Sequence, residues 1–176
     1  MLRVKLPDGN VLEFSRTVRP IDVAAEIGPG LAKATLAAVV DDQLVGTDTI
    51  LPEEGEISIR LITKRDPEAL EILRHSAAHV MARAVMRLFE GTQLAFGPTV
   101  ENGFYYDFAI DKPISEADFP KIEAEMAKII KEDEPFERVE MERSKALQLL
   151  NDLGQTLKVE HLEEGLGEES TVSFYR

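Results

Sequence analysis

His75 and His79 stand four residues apart in the run Arg74-His75-Ser76-Ala77-Ala78-His79, and they are the first candidates for chemistry in this 176-residue chain. On a helix that spacing sets both imidazoles on one side, a turn apart, aimed at a common volume. Such a pair can bind a metal or handle a proton together. The zinc-protease arrangement is excluded, because Ser76 occupies the position where that motif carries its glutamate. A metal would want a third ligand, and His161 is the one histidine left to supply it. A plainer reading stands beside these: two histidines that only satisfy hydrogen bonds on a packed or half-exposed helix face. The chain has no cysteine, so disulfides, thiolate zinc sites and a cysteine nucleophile within it are excluded.

The densest aromatic stretch runs from Phe96-Gly97-Pro98 to Asn102-Gly103-Phe104-Tyr105-Tyr106-Asp107-Phe108. Alternating aromatics of this kind ordinarily build a core. Yet Gly97 lets the backbone come close to a neighbour, Asn102-Gly103 is a tight-turn signal, and a tyrosine hydroxyl with backbone amides suits a small polar ligand. Lys158 is a lone basic residue in the acidic stretch Gln155 to Glu169, where most lysines make only surface ion pairs.

The elements that must carry these residues fall into two groups. In residues 1–62, Val4 and Leu6 lead to a Pro7-Asp8-Gly9 turn and Val11 to Phe14 leads away from it, a hairpin. Pro20 opens a short helix to Ile27 that Gly28 stops. Leu36 to Val40 and Leu44-Val45 flank Asp41-Asp42-Gln43 as a second hairpin, and Ile57 to Ile62 is a last strand. Strands around one helix in so few residues predict a β-grasp sheet. Thr63 to Pro67 marks the boundary, with Asp66-Pro67 as cap and first turn of a helix to about Phe89. On its wheel Leu70, Leu73, Ala77, Val80, Ala84 and Leu88 form the expected core stripe, with the two histidines opposite, beside Ile72, Ala82 and Met86. Beyond a strand-and-turn region over 92–110, helices are expected within Ser115 to Glu134, ended by Pro135, and over Ser144 to Leu153, stopped by Gly154. Pro120 fits poorly one turn inside the first of these if Ser115 is its cap. Val139, the Lys158 segment and Thr171 to Tyr175 read as strands.

Charge narrows the partners. Thirty-three acidic residues against 20 basic ones give a net charge of −13, and neither 1–62 nor 63–176 is basic by itself. Tight, sequence-independent binding to nucleic acid is therefore not expected of this chain alone. No apolar run could span a bilayer, and the start MLRVKLPDG is unlike a signal peptide, so the cytoplasm is the expected compartment.

Taken together, Leu6-Pro7-Asp8-Gly9 and Ile27-Gly28-Pro29-Gly30-Leu31-Ala32-Lys33-Ala34 resemble the TGS domain that opens bacterial threonyl-tRNA synthetases. Arg74 to His79, Gly97-Pro98 through Asp107, and Gly154-Gln155-Thr156-Leu157-Lys158-Val159 resemble, in order and spacing, the editing domain that follows it. The resemblance implies an α+β chain: a ubiquitin-like β-grasp TGS domain over 1–62 and a two-layer α+β domain that deacylates seryl-tRNA over 63–176. It implies that His75 orients water or the ribose 2′-hydroxyl, that His79 supports it, that Lys158 helps hold the transition state, and that Gly97 and Tyr106 line the amino-acid end. In the family a strand like Val172-Ser173-Phe174-Tyr175-Arg176 is followed by an aspartate, a cysteine and a histidine that complete the pocket, then by the ligase core. The chain is thus expected to stop inside the editing domain. It would hold no cofactor of its own, with ATP, magnesium and zinc serving the absent core, and would receive the 3′ aminoacyl end of tRNA within a homodimeric enzyme. Two other readings stay open on the residues alone: a non-catalytic β-grasp interaction module, and a metal-dependent hydrolase built on His75, His79 and His161.

Overall fold

A computed structural model describes residues 1–134, 138–164 and 171–175, and its contacts divide the chain into two units, 1–73 and 74–176. The first is a five-stranded sheet with two short helices. Strands β1 (Leu2–Lys5) and β2 (Val11–Phe14) pair antiparallel in the register Leu2 to Phe14. Their turn closes by Leu6 N–H on Asn10 O at 2.8 Å, with Gly9 at φ +88°, a left-handed conformation that glycine adopts without strain. Helices α1 (Pro20–Ile27) and α2 (Pro29–Ala34) follow, each with proline in its first turn, where the missing N–H has no partner to lose. Gly28 ends the first and the second starts at once, a helix the sequence reading did not separate.

Strand β3 (Thr35–Val40) then pairs with β4 (Gln43–Val45) and with β5 (Gly55–Thr63), which lies parallel to β1, for the order β2-β1-β5-β3-β4. The second turn is only Asp41-Asp42, both left-handed at φ +45° and +67°, and Gln43 belongs to the strand opposite Val40 rather than to the turn. Asp41 is held there by its Oδ1, which accepts from Ser58 N–H at 2.8 Å and Ser58 Oγ at 3.0 Å. Leu2, Val4, Val18, Val23, Ile57 and Ile59 fill the core, each side chain worth about 1.5–3 kcal/mol on leaving water. This is the expected β-grasp.

Helix α3 (Ala69–Leu88) carries the histidines. Its core face differs from the expected leucine stripe: Leu70, Leu73 and Leu88 are 55%, 46% and 39% exposed, while Ala78, Val80, Ala82, Ala84 and Val85 are buried. The reason is where packing falls. Helix α4 (Phe119–Glu132) brings Ile122 and Ile129 against Val80, Ala84 and Val85, well beyond the turns that hold Leu70 and Leu73. Val80 and Ala84 of the expected stripe are core as read, while its leucines at 70, 73 and 88 are not, and small side chains let the neighbours come close.

Residues 93–109 form one nested hairpin. β6 (Gln93–Leu94) pairs with β9 (Phe108–Ala109), and β7 (Thr99–Val100) with β8 (Gly103–Phe104). Between the two pairs, Asp107 N–H donates to Phe96 O at 2.8 Å and Ala95 N–H to Asp107 O at 3.0 Å. The tip is Glu101-Asn102, one residue before the expected Asn102-Gly103, and Arg74 Nη1 holds it through Glu101 O at 2.7 Å. A single 3₁₀ turn, Glu116–Asp118, is capped by Ser115, whose N–H and Oγ both donate to Asp118 Oδ2, and α4 starts after it. Pro120 thus sits in the first turn of α4 and costs no hydrogen bond. The helix ends at Glu132 with Asp133 left-handed; Pro135, the expected stop, lies outside the described residues.

Strands β10 (Arg138–Glu142) and β11 (Thr171–Tyr175) pair antiparallel and pack, through Val172, on Ala146 and Leu150 of α5 (Arg143–Asp152) and Leu162 of α6 (Thr156–Glu164). The Lys158 segment is therefore helix, not the strand expected. Gly154 at φ +66° lets Gln155 N–H close back on Leu150 O at 2.9 Å, and Lys158 N–H then bonds Gln155 O at 3.1 Å to start a new helix. The Val159 and Leu162 spacing suits that helix, with both side chains in the small core. No helix among the described residues is long and apolar enough to cross a membrane.

Candidate active site

Three pieces of the second unit meet at one cleft of about 650 Å³: α3 supplies His79, the hairpin supplies Phe96, Gly97 and Tyr106, and α6 supplies Lys158 and His161. His75 is exposed on the turn before His79 and joins it by a contact of 3.0 Å between the two Nε2 atoms. One hydrogen lies between these nitrogens, so one ring donates and the other accepts. Sequence spacing alone called for this meeting of imidazoles. The arrival of Lys158 in the same cleft was expected only from the resemblance.

Burial first, then the neighbouring His75 and the Lys158 cation, push the His79 imidazole down to about 4. It is therefore neutral near pH 7 and able to accept a proton. Desolvation also lowers the Lys158 ammonium from its ordinary range. A cation in so dry a place acts on developing negative charge more strongly than one in water. Burial raises the Tyr106 hydroxyl, keeping it a neutral donor.

The hairpin wall is tight. The Tyr106 ring stacks on Phe108 with centroids 5.0 Å apart and planes 13° from parallel. The same ring lies so close to Gly97 that a Cβ built there would meet Tyr106 ring carbons at 2.2 to 2.7 Å. Glycine at 97 is thus a steric requirement of where Tyr106 sits. Also lining the cleft, the Phe96 and His161 rings lie 5.8 Å apart with their planes tilted by 46°, and Arg83 is paired with Glu134. His161 shares the cleft with His79, but among the described residues no three metal-binding side chains converge.

Sequence reasoning missed Gln155. Only 8% exposed, it reaches across from the head of α6 to β6, its Oε1 accepting from Leu94 N–H at 2.9 Å and its Nε2 donating to Thr92 O at 3.1 Å. Its only signal was a polar residue following a helix-stopping glycine, and that pattern most often lies at the surface.

Residues 2–61 match the TGS domain family. Over 179 aligned residues the chain is 54% identical to the threonine–tRNA ligase of Rhodopirellula baltica, covering 99% of this chain and 24% of that protein. It is 44% identical to the threonine–tRNA ligase of Thiobacillus denitrificans, covering all of this chain and 27% of that protein. The chain belongs with the N-terminal region of these ligases. A third ligase, from Marinobacter nauticus, is 44% identical across 98% of the chain and 26% of its own length. The chain thus spans about a quarter of the length of the threonine–tRNA ligases it matches, with the TGS domain in its first unit and the cleft in its second.

Proposed function

We propose that the 74–176 unit contributes a hydrolytic editing site to a threonine–tRNA ligase, one that cleaves the ester of mischarged seryl-tRNA. The observation that carries this reading is the convergence of His79, Lys158, Gly97 and Tyr106 on one cleft, with His75 hydrogen-bonded to His79. A ligase needs such a site on size grounds. Serine lacks one methyl of threonine, and a missing methyl is worth only ~1–3 kcal/mol in a pocket built for the larger side chain.

The chemistry rests on the side chains. Water adds to the ester carbonyl and gives its proton to the neutral His79 imidazole, which His75 holds by hydrogen bond. Lys158 stabilises the negative charge that forms on the carbonyl oxygen. Collapse of this intermediate expels the ribose oxygen, which takes the proton back from imidazole. The close-packed Gly97 and Tyr106 wall bounds the amino-acid end and fixes how large a side chain enters. ATP, magnesium and zinc belong to the ligation reaction, and no step at this cleft is routed through them. Transfer RNA is the proposed partner of both units, gripped in the main by parts of the ligase other than these acidic ones.

Deacylation of seryl-tRNA by a threonine–tRNA ligase carrying this region tests the reading. His75→Ala should slow deacylation and raise the seryl-tRNA that accumulates under ligation conditions. Unchanged deacylation would remove the assignment.

A further inference from the structure

We infer that Gln155 is the positioning residue of the cleft, setting where the Lys158 ammonium stands relative to the imidazoles and the Gly97 wall. The proposal deepens the hydrolase reading and rests on it for its catalytic meaning. Two sets of bonds carry it. The Gln155 backbone oxygen accepts from Lys158 N–H at 3.1 Å and Val159 N–H at 3.1 Å, so the residue is the first anchor of α6. Its side-chain amide is spent on β6, taking Leu94 N–H and giving to Thr92 O, as a neighbouring strand would. The chain of β6 runs directly on to Ala95, Phe96 and Gly97, three of the residues lining the cleft. One buried amide therefore ties the helix that presents Lys158 to the strand that leads into the wall. Gln93 adds a second tie, its Oε1 accepting from Thr156 Oγ1 and, at 3.4 Å, from Leu157 N–H. This tie lies nearer the surface.

Buried polar side chains with both ends satisfied fix one arrangement, since any shift strands a donor or acceptor away from water. A sliding α6 would carry Lys158 away from His79. The titratable and charged groups around His79 are His75 and Arg83 on its own helix, Lys158 and His161 on α6, and Glu134, which pairs with Arg83. Of these, His75 and Lys158 lower its basicity.

The test is an NMR pH titration of His79 in this chain, which reads the position of the Lys158 charge without any turnover. Gln155→Met keeps the volume and removes both side-chain bonds. The expected result is a His79 midpoint about one unit higher than in the parent chain, the size of effect a displaced cation gives, and no such rise when Gln155→Met is added to Lys158→Met. An unchanged midpoint with Lys158 present would overturn the proposal, as would an equal rise in both backgrounds, which would mean that Gln155 acts on the packing of α3 instead. If Gln155→Met does not fold, Gln155→Asn, one methylene too short to span to β6, must shift the midpoint the same way and with the same dependence on Lys158. Deacylation by a threonine–tRNA ligase carrying this region with the same substitutions separates the two levels. A titration shift without any loss of deacylation would sink the hydrolase reading and leave the role of Gln155 standing.

Discussion

Replacing Gly97 by alanine adds one methyl where the Tyr106 ring already lies. The added carbon would meet Cδ2, Cε2 and Cγ of that ring at 2.2, 2.5 and 2.7 Å. Ordinary carbon contacts are about 3.5–4.0 Å, so the ring must withdraw by roughly an ångström or more. The ring is also stacked on Phe108 at 5.0 Å, so its withdrawal disturbs that contact. Forcing a methyl into such a site costs about 1–3 kcal/mol, and breaking an aromatic stack a further ~0.5–1.5 kcal/mol. We expect a loss near 2 kcal/mol in the second unit, since part of the strain relaxes by moving the hairpin. Hydrogen exchange of the Ala95 and Asp107 amides, which bond across this hairpin, reports the change in the unit that carries it. Gly103→Ala is the control, because nothing lies within 4 Å of a Cβ there, and it should change protection by less than about 0.5 kcal/mol. Equal protection in Gly97→Ala and the parent chain would refute the steric account of this position.

Two further outcomes are expected. His79, neutral with a midpoint at about 4 against 6.5 unperturbed, takes up its proton more readily unfolded than folded. Stability should therefore be fully present above about pH 6.5 and decline as pH falls toward 4, and Lys158→Met should raise the midpoint yet leave it below 6.5, since burial is the larger cause; a midpoint at 6.5 in the parent chain would contradict the buried placement. Arg87 on α3 bonds Glu132 of α4 at 2.7 and 2.9 Å and Glu125 at 3.2 Å. Because these groups are partly exposed, Arg87→Met should lower the thermal midpoint only slightly, and less at high salt, and a salt-independent loss would argue against an ionic tie.

The first unit was legible in nearly all its strands and turns because its signals are local. Pro7-Asp8-Gly9, Pro20 and Asp41-Asp42 each specify a backbone geometry by their own stereochemistry, whatever packs around them. The second unit depends more on distant neighbours. The leucines at 70 and 73 read as core by hydrophobicity, yet the partners that decide burial meet the helix farther along, at Val80, Ala84 and Val85. Lys158 read as strand because Leu157 and Val159 flank it, while the decision for helix lay in Gly154 and Gln155 before it. Of the site, the imidazole pair was visible as an i, i+4 spacing. The closeness of Gly97 to Tyr106 needed the fold of a hairpin that brings residues nine apart together, and Gln155 needed the knowledge that a polar residue was buried.

The central claim is that one imidazole pair and one ammonium group act on the same ester. Seryl-tRNA deacylation by a threonine–tRNA ligase bearing His79→Ala, Lys158→Met, or both tests it most directly. Each single variant should lose at least about 100-fold in rate, and the double variant should be little worse than the worse single one, as for groups that act as a unit. Parent-like rates in the single variants, or losses that simply multiply in the double, would contradict the account.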